Sequence, residues 1–259
     1  MSIPTEGYPL TAAVSPRVHV IDTVDSTNAK LVRDAEDDPD GHPHLSVLLT
    51  RDQRAGRGRL SRTWVTPPGS ALAVSVLLRV GAVAVHDRGW IPLVAGAAMV
   101  DAVAAQLPAH DVAVKWPNDV LVDGRKICGI LVEVVPSDPH TVVVGAGVNT
   151  TMSEAELPVP TATSFAALRA VADEDRLVAA FLDALRDRIA RLAVGGGAAV
   201  ASDVVARCGT LGTRVTVSLP DGGVIEGTAA RLDADGRLVV ATDDGPESVV
   251  GAGDVVHVR

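Results

Sequence analysis

Short apolar runs separated by turn-forming residues dominate the first 150 residues, and this pattern is typical of β-strands. The Asp123-Gly124 pair between two of the runs predicts a tight hairpin turn. That turn would place Lys126 at the mouth of a strand pair. The predicted strands lie at 17–24, 45–49, 71–80, 112–116, 120–122, 126–135 and 141–144.

Helical patterns interrupt these strands at three places. Residues 25–28, Asp-Ser-Thr-Asn, supply N-capping side chains for a helix that continues to about residue 34. The apolar run 91–107 predicts a long buried helix. In 174–192 the apolar residues recur every three or four positions, which predicts a helix with one buried face. Three successive glycines at 195–197 mark a helix end or a flexible joint.

The two ends of the chain differ from its middle. Residues 1–16 contain three prolines and a glycine, and we expect them to be irregular. After residue 208, runs of Val, Thr and Leu alternate with closely spaced Asp-Gly turns, which indicates a small β-barrel. The sequence therefore predicts an α+β protein with an irregular segment at 1–16, a large domain at 17–204 and a small β domain at 208–259.

Composition adds information mainly through what is rare. Only 2% of the 259 residues are aromatic, yet Trp64 and Trp116 both fall in polar motifs. The formal net charge of −9 argues against a general nucleic-acid-binding protein. Cys128 and Cys208 match no metal or disulfide spacing. Because neither a signal peptide nor a membrane-spanning apolar stretch is evident, we expect a cytoplasmic protein with no membrane partner.

Residues 53–64, Gln-Arg-Ala-Gly-Arg-Gly-Arg-Leu-Ser-Arg-Thr-Trp, form a cationic loop in an acidic protein. Gly56 and Gly58 allow main-chain N–H groups to wrap around an anion. Arg57 and Arg59 add planar donors that match phosphate or carboxylate oxygens. The loop is not a Walker A motif, because no Lys-Ser/Thr follows at the required spacing. The alternative is a solvated basic loop with no ligand.

A second polar motif, Lys-Trp-Pro-Asn-Asp at 115–119, is followed by Lys126 at the start of an apolar strand. The motif could be a plain turn, and Lys126 a strand-end lysine that extends to water. Residues 145–149, Gly-Ala-Gly-Val-Asn, lack the third glycine of a dinucleotide-binding fingerprint. We expect them to form a tight turn that brings Asn149 towards a ligand. The seven histidines show no metal-binding spacing.

Taken in chain order, these motifs resemble biotin–protein ligases. The order is Ser-Thr-Asn at 26–28, the loop 53–59 with Trp64, the motif 115–119, the strand 125–133 and the segment 145–149. The resemblance runs from about residue 20 to the C terminus. It implies a class II synthetase-like catalytic domain, in which helices back a mixed β-sheet, followed by a small C-terminal SH3-like β-barrel.

The resemblance implies a ligase that works in two half-reactions. In the first, the biotin carboxylate attacks the α-phosphate of MgATP, which gives biotinyl-5'-adenylate and pyrophosphate. In the second, a lysine of a biotin carboxyl carrier domain attacks the acyl carbon and releases AMP. The implied substrates are therefore ATP and biotin. Mg²⁺ would be held mainly by phosphate oxygens, without a ligand set assigned to the protein.

The resemblance also assigns roles to residues by their position. Lys126, Arg57 and Asp119 are the implied catalytic residues, and Asp119 would help to receive the carrier lysine. The implied biotin-binding residues are Ser26, Thr27, Asn28, Gln53, Gly56, Arg57, Gly58, Arg59 and Lys126. The implied ATP- or adenylate-binding residues are Arg57, Arg59, Trp64, Asn118, Lys126 and Asn149.

Partners and alternatives follow from the same comparison. The implied acceptor is the biotin carboxyl carrier domain of an acyl-CoA or pyruvate carboxylase, and the enzyme would be a monomer or a weak homodimer. Some family members carry an N-terminal winged helix-turn-helix that represses transcription. Only about sixteen residues precede the first predicted strand here, so we expect no DNA binding by that route. Two alternatives stay open: a lipoate ligase or octanoyltransferase, and a nucleic-acid-binding protein that uses the loop 51–62.

Overall fold

The computed structural model describes residues 7–60, 62–64, 66–243 and 245–258. The strands of the N-terminal part are β1 Val18–Val20, β2 Val47–Thr50, β3 Gly56–Arg57, β4 Thr63–Trp64, β5 Ala71–Arg79, β6 Val112–Lys115, β7 Asp119–Val122, β8 Arg125–Val135 and β9 Asp138–Asn149. Seven of them form one sheet in the order β1-β2-β5-β9-β8-β7-β6, while β3 and β4 form a separate hairpin. Strands β1 and β2 run parallel and the other neighbours antiparallel, so the sheet is mixed, as predicted.

The α-helices in the described residues are α1 Pro9–Val14, α2 Thr27–Asp37, α3 Ile91–Ala104, α4 Glu174–Gly195 and α5 Ala198–Val205, and a 3₁₀-helix Val85–Trp90 precedes α3. Helix α3 is almost wholly apolar and buried, because it lies between the sheet and α4. Helix α4 presents its apolar stripe to α3, and its end at Gly196 has a φ of 63°, a backbone conformation that favours glycine. The predicted helices that begin near 25–28, 91 and 174 are thus confirmed.

Helices α1 and α5 are elements that the sequence did not predict. Residues Pro9–Val14 belong to the segment expected to be irregular, and that expectation is wrong for them; residues 1–6 lie outside the described parts. The backbone N–H and the hydroxyl of Thr11 both donate to Asp175 Oδ1 at 2.8 Å, which fastens α1 to α4. Helix α5 begins directly after the three glycines at 195–197, which lie at the end of α4, so the predicted helix end is confirmed.

The hairpin between β7 and β8 follows the prediction. Asp123 has a φ of 49° and Gly124 a φ of 75°, so both residues have left-handed backbone conformations. Two successive residues of this kind are the signature of a type I′ turn, for which Asp-Gly is a preferred pair. The turn fixes the register in which β7 and β8 pair near the site described below.

The C-terminal strands are β10 Arg214–Ser218, β11 Val224–Leu232, β12 Leu238–Ala241, β13 Ser248–Val250 and β14 Asp254–His257. They form an antiparallel sheet in the order β13-β12-β11-β10-β14, with Val215, Val217 and Ala229 fully buried. This arrangement is consistent with an SH3-like fold, and its closure into a barrel stays a prediction. Within the described ranges, no helix combines the length and hydrophobicity needed to cross a membrane.

Two buried tryptophans join the C-terminal sheet to the larger domain. Trp90 Nε1 donates to the carbonyl of Ala234 at 2.8 Å, and Trp116 Nε1 donates to the carbonyl of Gly236 at 3.1 Å. The ring of Trp116 therefore holds the turn between β11 and β12 against the 115–119 motif. This contact places the C-terminal domain beside the cavity described below.

Candidate active site

A cavity of about 160 Å³ lies between the N-terminal end of α2, the β3–β4 hairpin and strands β5, β8 and β9. It brings together every site residue predicted from the sequence except Gly56 and Asn149. The predicted residues that line it are Ser26, Thr27, Asn28, Gln53, Arg57, Gly58, Arg59, Trp64, Asn118, Asp119 and Lys126.

Gly56 and Asn149 lie near the cavity without lining it. A Cβ at Gly56 would lie 2.3 Å from the carbonyl oxygen of Trp64, so glycine is needed for β3 to approach β4. The side chain of Asn149 is buried, and its Nδ2 donates to the carbonyl of Thr163 at 2.9 Å. Both residues therefore support the walls of the cavity.

The tight turn expected at 145–149 is wrong, because β9 continues through Asn149. The glycines in this strand have another purpose. A Cβ at Gly145 would lie 2.3 Å from Asn28 Oδ1, and a Cβ at Gly147 would lie 2.8 Å from the ring of Trp64. The two glycines thus leave room for side chains from α2 and β4 to lie over the sheet.

Uncharged hydrogen-bonding groups form one part of the site. Ser26 caps α2, and its Oγ accepts a hydrogen bond from the backbone N–H of Ala29. The backbone N–H and the hydroxyl of Thr27 both donate to Gln53 Oε1, at 2.8 and 3.0 Å. The hydroxyl of Ser75, on β5, donates to Asn28 Oδ1 at 2.6 Å and lies 2.8 Å from Thr27 Oγ1.

Ser75 was missed by the sequence analysis, which treated 71–80 only as a buried strand. The signal available was a hydroxyl in an otherwise apolar run. Because buried polar groups need hydrogen-bond partners, a fully buried serine indicates a polar neighbour on the same face of the sheet.

A bulge in β8 directs Lys126 into the cavity. Val120 pairs with Cys128 and Leu121 with Lys126, so Ile127 is an extra residue. An extra residue reverses the alternation of side chains, and β-bulges often redirect a side chain in this way. The Lys126 side chain consequently lies over Gly129, where a Cβ would be 3.1 Å from Nζ.

The ammonium of Lys126 faces a carboxylate. Its Nζ lies 2.6 Å from Asp119 Oδ1, and both side chains are partly exposed to the cavity. This ion pair fixes the position of the ammonium at the cavity wall. Asp119 lies at the first position of β7, directly after the Trp-Pro-Asn part of the motif, so the motif supplies the group that orients Lys126.

Arg59 enters the cavity from the loop between β3 and β4. Its Nη1 donates to Asn118 Oδ1 at 3.1 Å, while Asn118 Nδ2 donates to the carbonyl of Ile130 at 2.7 Å. Burial lowers the pKa of the Arg59 guanidinium, because desolvation disfavours its charged form. A partly desolvated cation attracts an anion more strongly than a hydrated one.

Two acidic residues take part in the site without having been predicted. Glu133 Oε1 lies 3.2 Å from Arg57 Nη1, and Glu133 Oε2 accepts from Asn28 Nδ2 at 2.9 Å. Asp254, on β14 of the C-terminal sheet, lines the cavity and accepts from Arg62 Nη1 at 2.9 Å. The hydrogen bond from Arg62 holds the pKa of Asp254 below its ordinary value.

The acidic side chains bear on metal binding. The described residues contain no group of three or more His, Cys, Asp or Glu side chains placed to hold a metal ion. Asp119 and Asp254 both line the cavity. Each of them is already paired with a cation, Asp119 with Lys126 and Asp254 with Arg62. A Mg²⁺ ion bound here would therefore depend mainly on phosphate oxygens and water for its ligands.

Comparison with known proteins identifies both parts of the chain. Residues 20–149 match the model of the Biotin/lipoate A/B protein ligase family, and residues 210–258 match that of the Biotin protein ligase C terminal domain. The chain is 40% identical over 248 residues to a biotin–[acetyl-CoA-carboxylase] ligase of Mycobacterium tuberculosis, with 94% of this chain and 90% of the relative covered. It is 36% identical over 141 residues to the bifunctional ligase/repressor BirA of Escherichia coli, with 54% and 42% covered.

Solved structures show the same fold. A biotin protein ligase from Aquifex aeolicus in complex with biotin and ATP superposes with a TM-score of 0.77 at 22% identity, over 93% of this chain and 99% of that one. One from Leishmania major in complex with biotinyl-5-AMP gives a TM-score of 0.61 at 25% identity, over 92% and 99%. By sequence match and by fold, the chain belongs to the biotin/lipoate A/B protein ligase family.

Proposed function

We propose that this chain is a biotin–[biotin carboxyl carrier protein] ligase, which uses MgATP to attach biotin to a carrier lysine through biotinyl-5'-adenylate. One observation carries the proposal. Lys126, Arg57 and Arg59 enter the same cavity as the uncharged donors and acceptors of residues 26–28. A site with both sets can hold a neutral ring system and can also join a carboxylate to a phosphate.

The relatives favour biotin over lipoate as the substrate. The Mycobacterium tuberculosis relative bears the name of a biotin ligase, as does one from Paracoccus denitrificans that is 33% identical over 239 residues, with 88% of this chain and 95% of the relative covered. The Leishmania major neighbour holds biotinyl-5-AMP. These names support the adenylate route proposed for this chain.

In the first half-reaction, two anions have to approach within bonding distance. The Lys126 ammonium and the Arg57 guanidinium would offset the repulsion between the carboxylate and the triphosphate, and would stabilise the charge that develops in the transition state. The ion pair with Asp119 keeps Lys126 Nζ in place before the substrates arrive. Mg²⁺, held mainly by phosphate oxygens, would add positive charge at the phosphates.

The neutral part of biotin needs a few matched hydrogen bonds and apolar walls. Ser26, Thr27, Asn28 and Gln53 supply hydroxyl and amide groups in the cavity. On the nucleotide side, we propose that Trp64 offers its ring face to adenine and that Arg59 and Asn118 contact the adenylate. Gly56 and Asn149 act in this scheme only through the walls that they support.

In the second half-reaction the adenylate has to survive until a carrier lysine arrives. The loop between β3 and β4 would cover the intermediate and exclude water. Asp119 would receive the incoming lysine, and AMP would leave. The proposal also includes the carrier domain of an acyl-CoA or pyruvate carboxylase as acceptor, a monomeric or weakly dimeric state and a cytoplasmic location.

A biotin-dependent ATP–pyrophosphate exchange assay tests the proposed function. Exchange that requires biotin, that lipoate cannot support in place of biotin and that lipoate does not inhibit would agree with the proposed function. Exchange that lipoate supports better than biotin would replace it with a lipoate ligase. Duplex DNA or RNA binding that weakens steeply with salt would instead favour the nucleic-acid-binding alternative.

A further inference from the structure

We propose that Glu133 is a positioning residue that couples the biotin pocket to the loop arginine Arg57. Its two carboxylate oxygens contact different parts of the site, Oε2 the amide of Asn28 and Oε1 the guanidinium of Arg57. Glu133 is not among the residues that line the cavity. It would therefore act through its two neighbours and without touching substrate. The inference rests on the proposed function.

The first neighbour, Asn28, has its amide orientation fixed by acceptors. Its Nδ2 donates both to the carbonyl of Leu131 at 3.2 Å and to Glu133 Oε2 at 2.9 Å. Its Oδ1 accepts from the hydroxyl of Ser75 at 2.6 Å. Since a carboxylate and a carbonyl can only accept, the amide nitrogen has to face Glu133 and the oxygen has to face Ser75. The remaining lone pair of Oδ1 is left for a ligand.

The second neighbour, Arg57, is the last residue of β3, and its side chain is about half exposed. Its guanidinium has many rotamers available in water, and each ordered long side chain carries an entropic cost. Glu133 Oε1, 3.2 Å from Arg57 Nη1, selects one of these positions before any anion is bound. Within the described parts of the chain, Glu133 is the carboxylate that pairs with Arg57.

The alternative is that Glu133 and Arg57 form an ion pair with no role in ligand binding. Partly exposed pairs of this kind are common and contribute little to folding stability. The geometry argues for more than that. The two oxygens of one planar carboxylate contact the two neighbours. The carboxylate position that brings Oε1 to Arg57 therefore also brings Oε2 to the amide of Asn28. Coupling between two sites is reciprocal. Biotin that holds Asn28 in place should therefore favour the ordered position of Arg57, and the converse should also hold.

The variant Glu133→Gln tests this coupling with little change in shape. Glutamine has one acceptor oxygen where glutamate has two, so it can serve Asn28 or Arg57 but not both. We expect the Kd for biotin, measured by titration calorimetry, to rise about tenfold, the usual order of effect when a hydrogen bond to a charged group is lost. The melting temperature should stay within about 4 °C of wild type, because a partly exposed ion pair contributes little to folding stability. A general loss of folding would not give weaker biotin binding at an unchanged melting temperature.

Loop order provides a second readout. Biotin should protect the arginine-rich loop 54–62 of the wild type against trypsin, and this protection should be weaker in Glu133→Gln. Glu247→Gln is the matched control, because Glu247 also pairs with an arginine, Arg231, but on the C-terminal domain. The shorter Glu133→Asp keeps the charge and cannot reach both neighbours, so it should show the same defect as Glu133→Gln.

A double-mutant cycle with Asn28→Ala separates coupling from simple addition. If Glu133 acts on biotin through Asn28, Glu133→Gln should change the Kd for biotin less than twofold in the Asn28→Ala background. Equal effects in both backgrounds would overturn the inference, as would normal biotin affinity and normal loop protection in Glu133→Gln. A wild-type chain that does not bind biotin would instead overturn the proposed function on which the inference rests.

Discussion

Replacing Lys126 with methionine removes one positive charge from the cavity and keeps most of the apolar stem that lies over Gly129. Two magnitudes decide what this change should do. The ion pair between Lys126 and Asp119 is partly exposed, with 42% and 21% of the side chains accessible. Exposed pairs of this kind contribute about 0.2–1 kcal/mol to folding stability, so the melting temperature should fall by no more than about 4 °C.

The expected loss of activity is much larger than the loss of stability. A preorganised group that stabilises developing charge is typically worth about 3–4 kcal/mol of transition-state energy, or a factor of about 10²–10³ in rate. Lys126→Met should therefore lower kcat/KM for biotin-dependent ATP–pyrophosphate exchange about 100- to 1000-fold in a protein that is still folded. Since adenylation then limits the overall reaction, transfer to a carrier domain should slow by a similar factor.

A matched variant makes the result interpretable. Lys30→Met removes a lysine that is also paired with an aspartate, Asp34, at 2.9 Å, on helix α2 away from the cavity lining. It should change stability by a similar amount and leave exchange close to wild type. Exchange by Lys126→Met within about threefold of wild type would refute the role assigned to Lys126. A melting temperature lowered enough to account for the lost activity would refute the energetic argument.

Three further predictions concern other parts of the site and the fold. Gly145→Ala brings a Cβ to within 2.3 Å of Asn28 Oδ1, and displacement of the Asn28 amide should weaken biotin binding at least about tenfold by calorimetry, at a cost of about 1–3 kcal/mol in folding stability. Unchanged biotin affinity would show that Asn28 does not bind biotin. Asp254→Asn weakens the contact between Arg62 and the C-terminal domain, so trypsin should cleave the loop 54–62 faster while the free energy of unfolding changes by less than about 1 kcal/mol. Equal cleavage rates in Asp254→Asn and wild type would exclude this contact as a restraint on the loop. Burial lowers the pKa of His44 from its ordinary value of 6.5, so the unfolded chain binds that proton more tightly and stability falls as pH drops below about 6.5. The His44→Gln variant should therefore lose less melting temperature between pH 7 and pH 5 than wild type, and an identical slope would show that His44 does not contribute.

Local patterns predicted the elements that local interactions determine. The capping side chains at 25–28, the Asp123-Gly124 turn and the apolar stripe of α4 each act over a few residues, and each is present where expected. The predicted start of α2 also placed Thr27 and Asn28 correctly, because both residues directly follow the capping residue Ser26. Lys126 was located by its distance from the turn, although the bulge that directs it inward leaves no clear mark in the sequence.

The errors share a physical cause, which is that tertiary contacts determined the outcome. Residues 145–149 looked like a turn because glycines often mark turns. In β9 the same glycines provide space for Asn28 and Trp64, whose positions depend on elements far away in the chain. A glycine that makes room for a distant side chain cannot be distinguished from a turn glycine by its neighbours in sequence.

The same reasoning applies to the acidic residues that were missed. Glu133 was part of a recognised motif, but its role depends on the distance of one oxygen from α2 and of the other from β3. Asp254 reaches the cavity only because the C-terminal sheet is held there by Trp90 and Trp116. Helix α1 likewise forms against Asp175 of α4 and has little amphipathic pattern of its own.

The central claim is that this chain attaches biotin to a carrier lysine through an adenylate made from ATP. Intact-mass spectrometry of a biotin carboxyl carrier domain, incubated with the purified chain, biotin and MgATP, tests it most directly. We predict the addition of one biotinyl group per carrier domain, only when ATP is present and only when the acceptor lysine is intact, with strongly reduced transfer by Lys126→Met. A carrier domain that stays unmodified under these conditions, or that accepts lipoate in preference to biotin, would contradict the account.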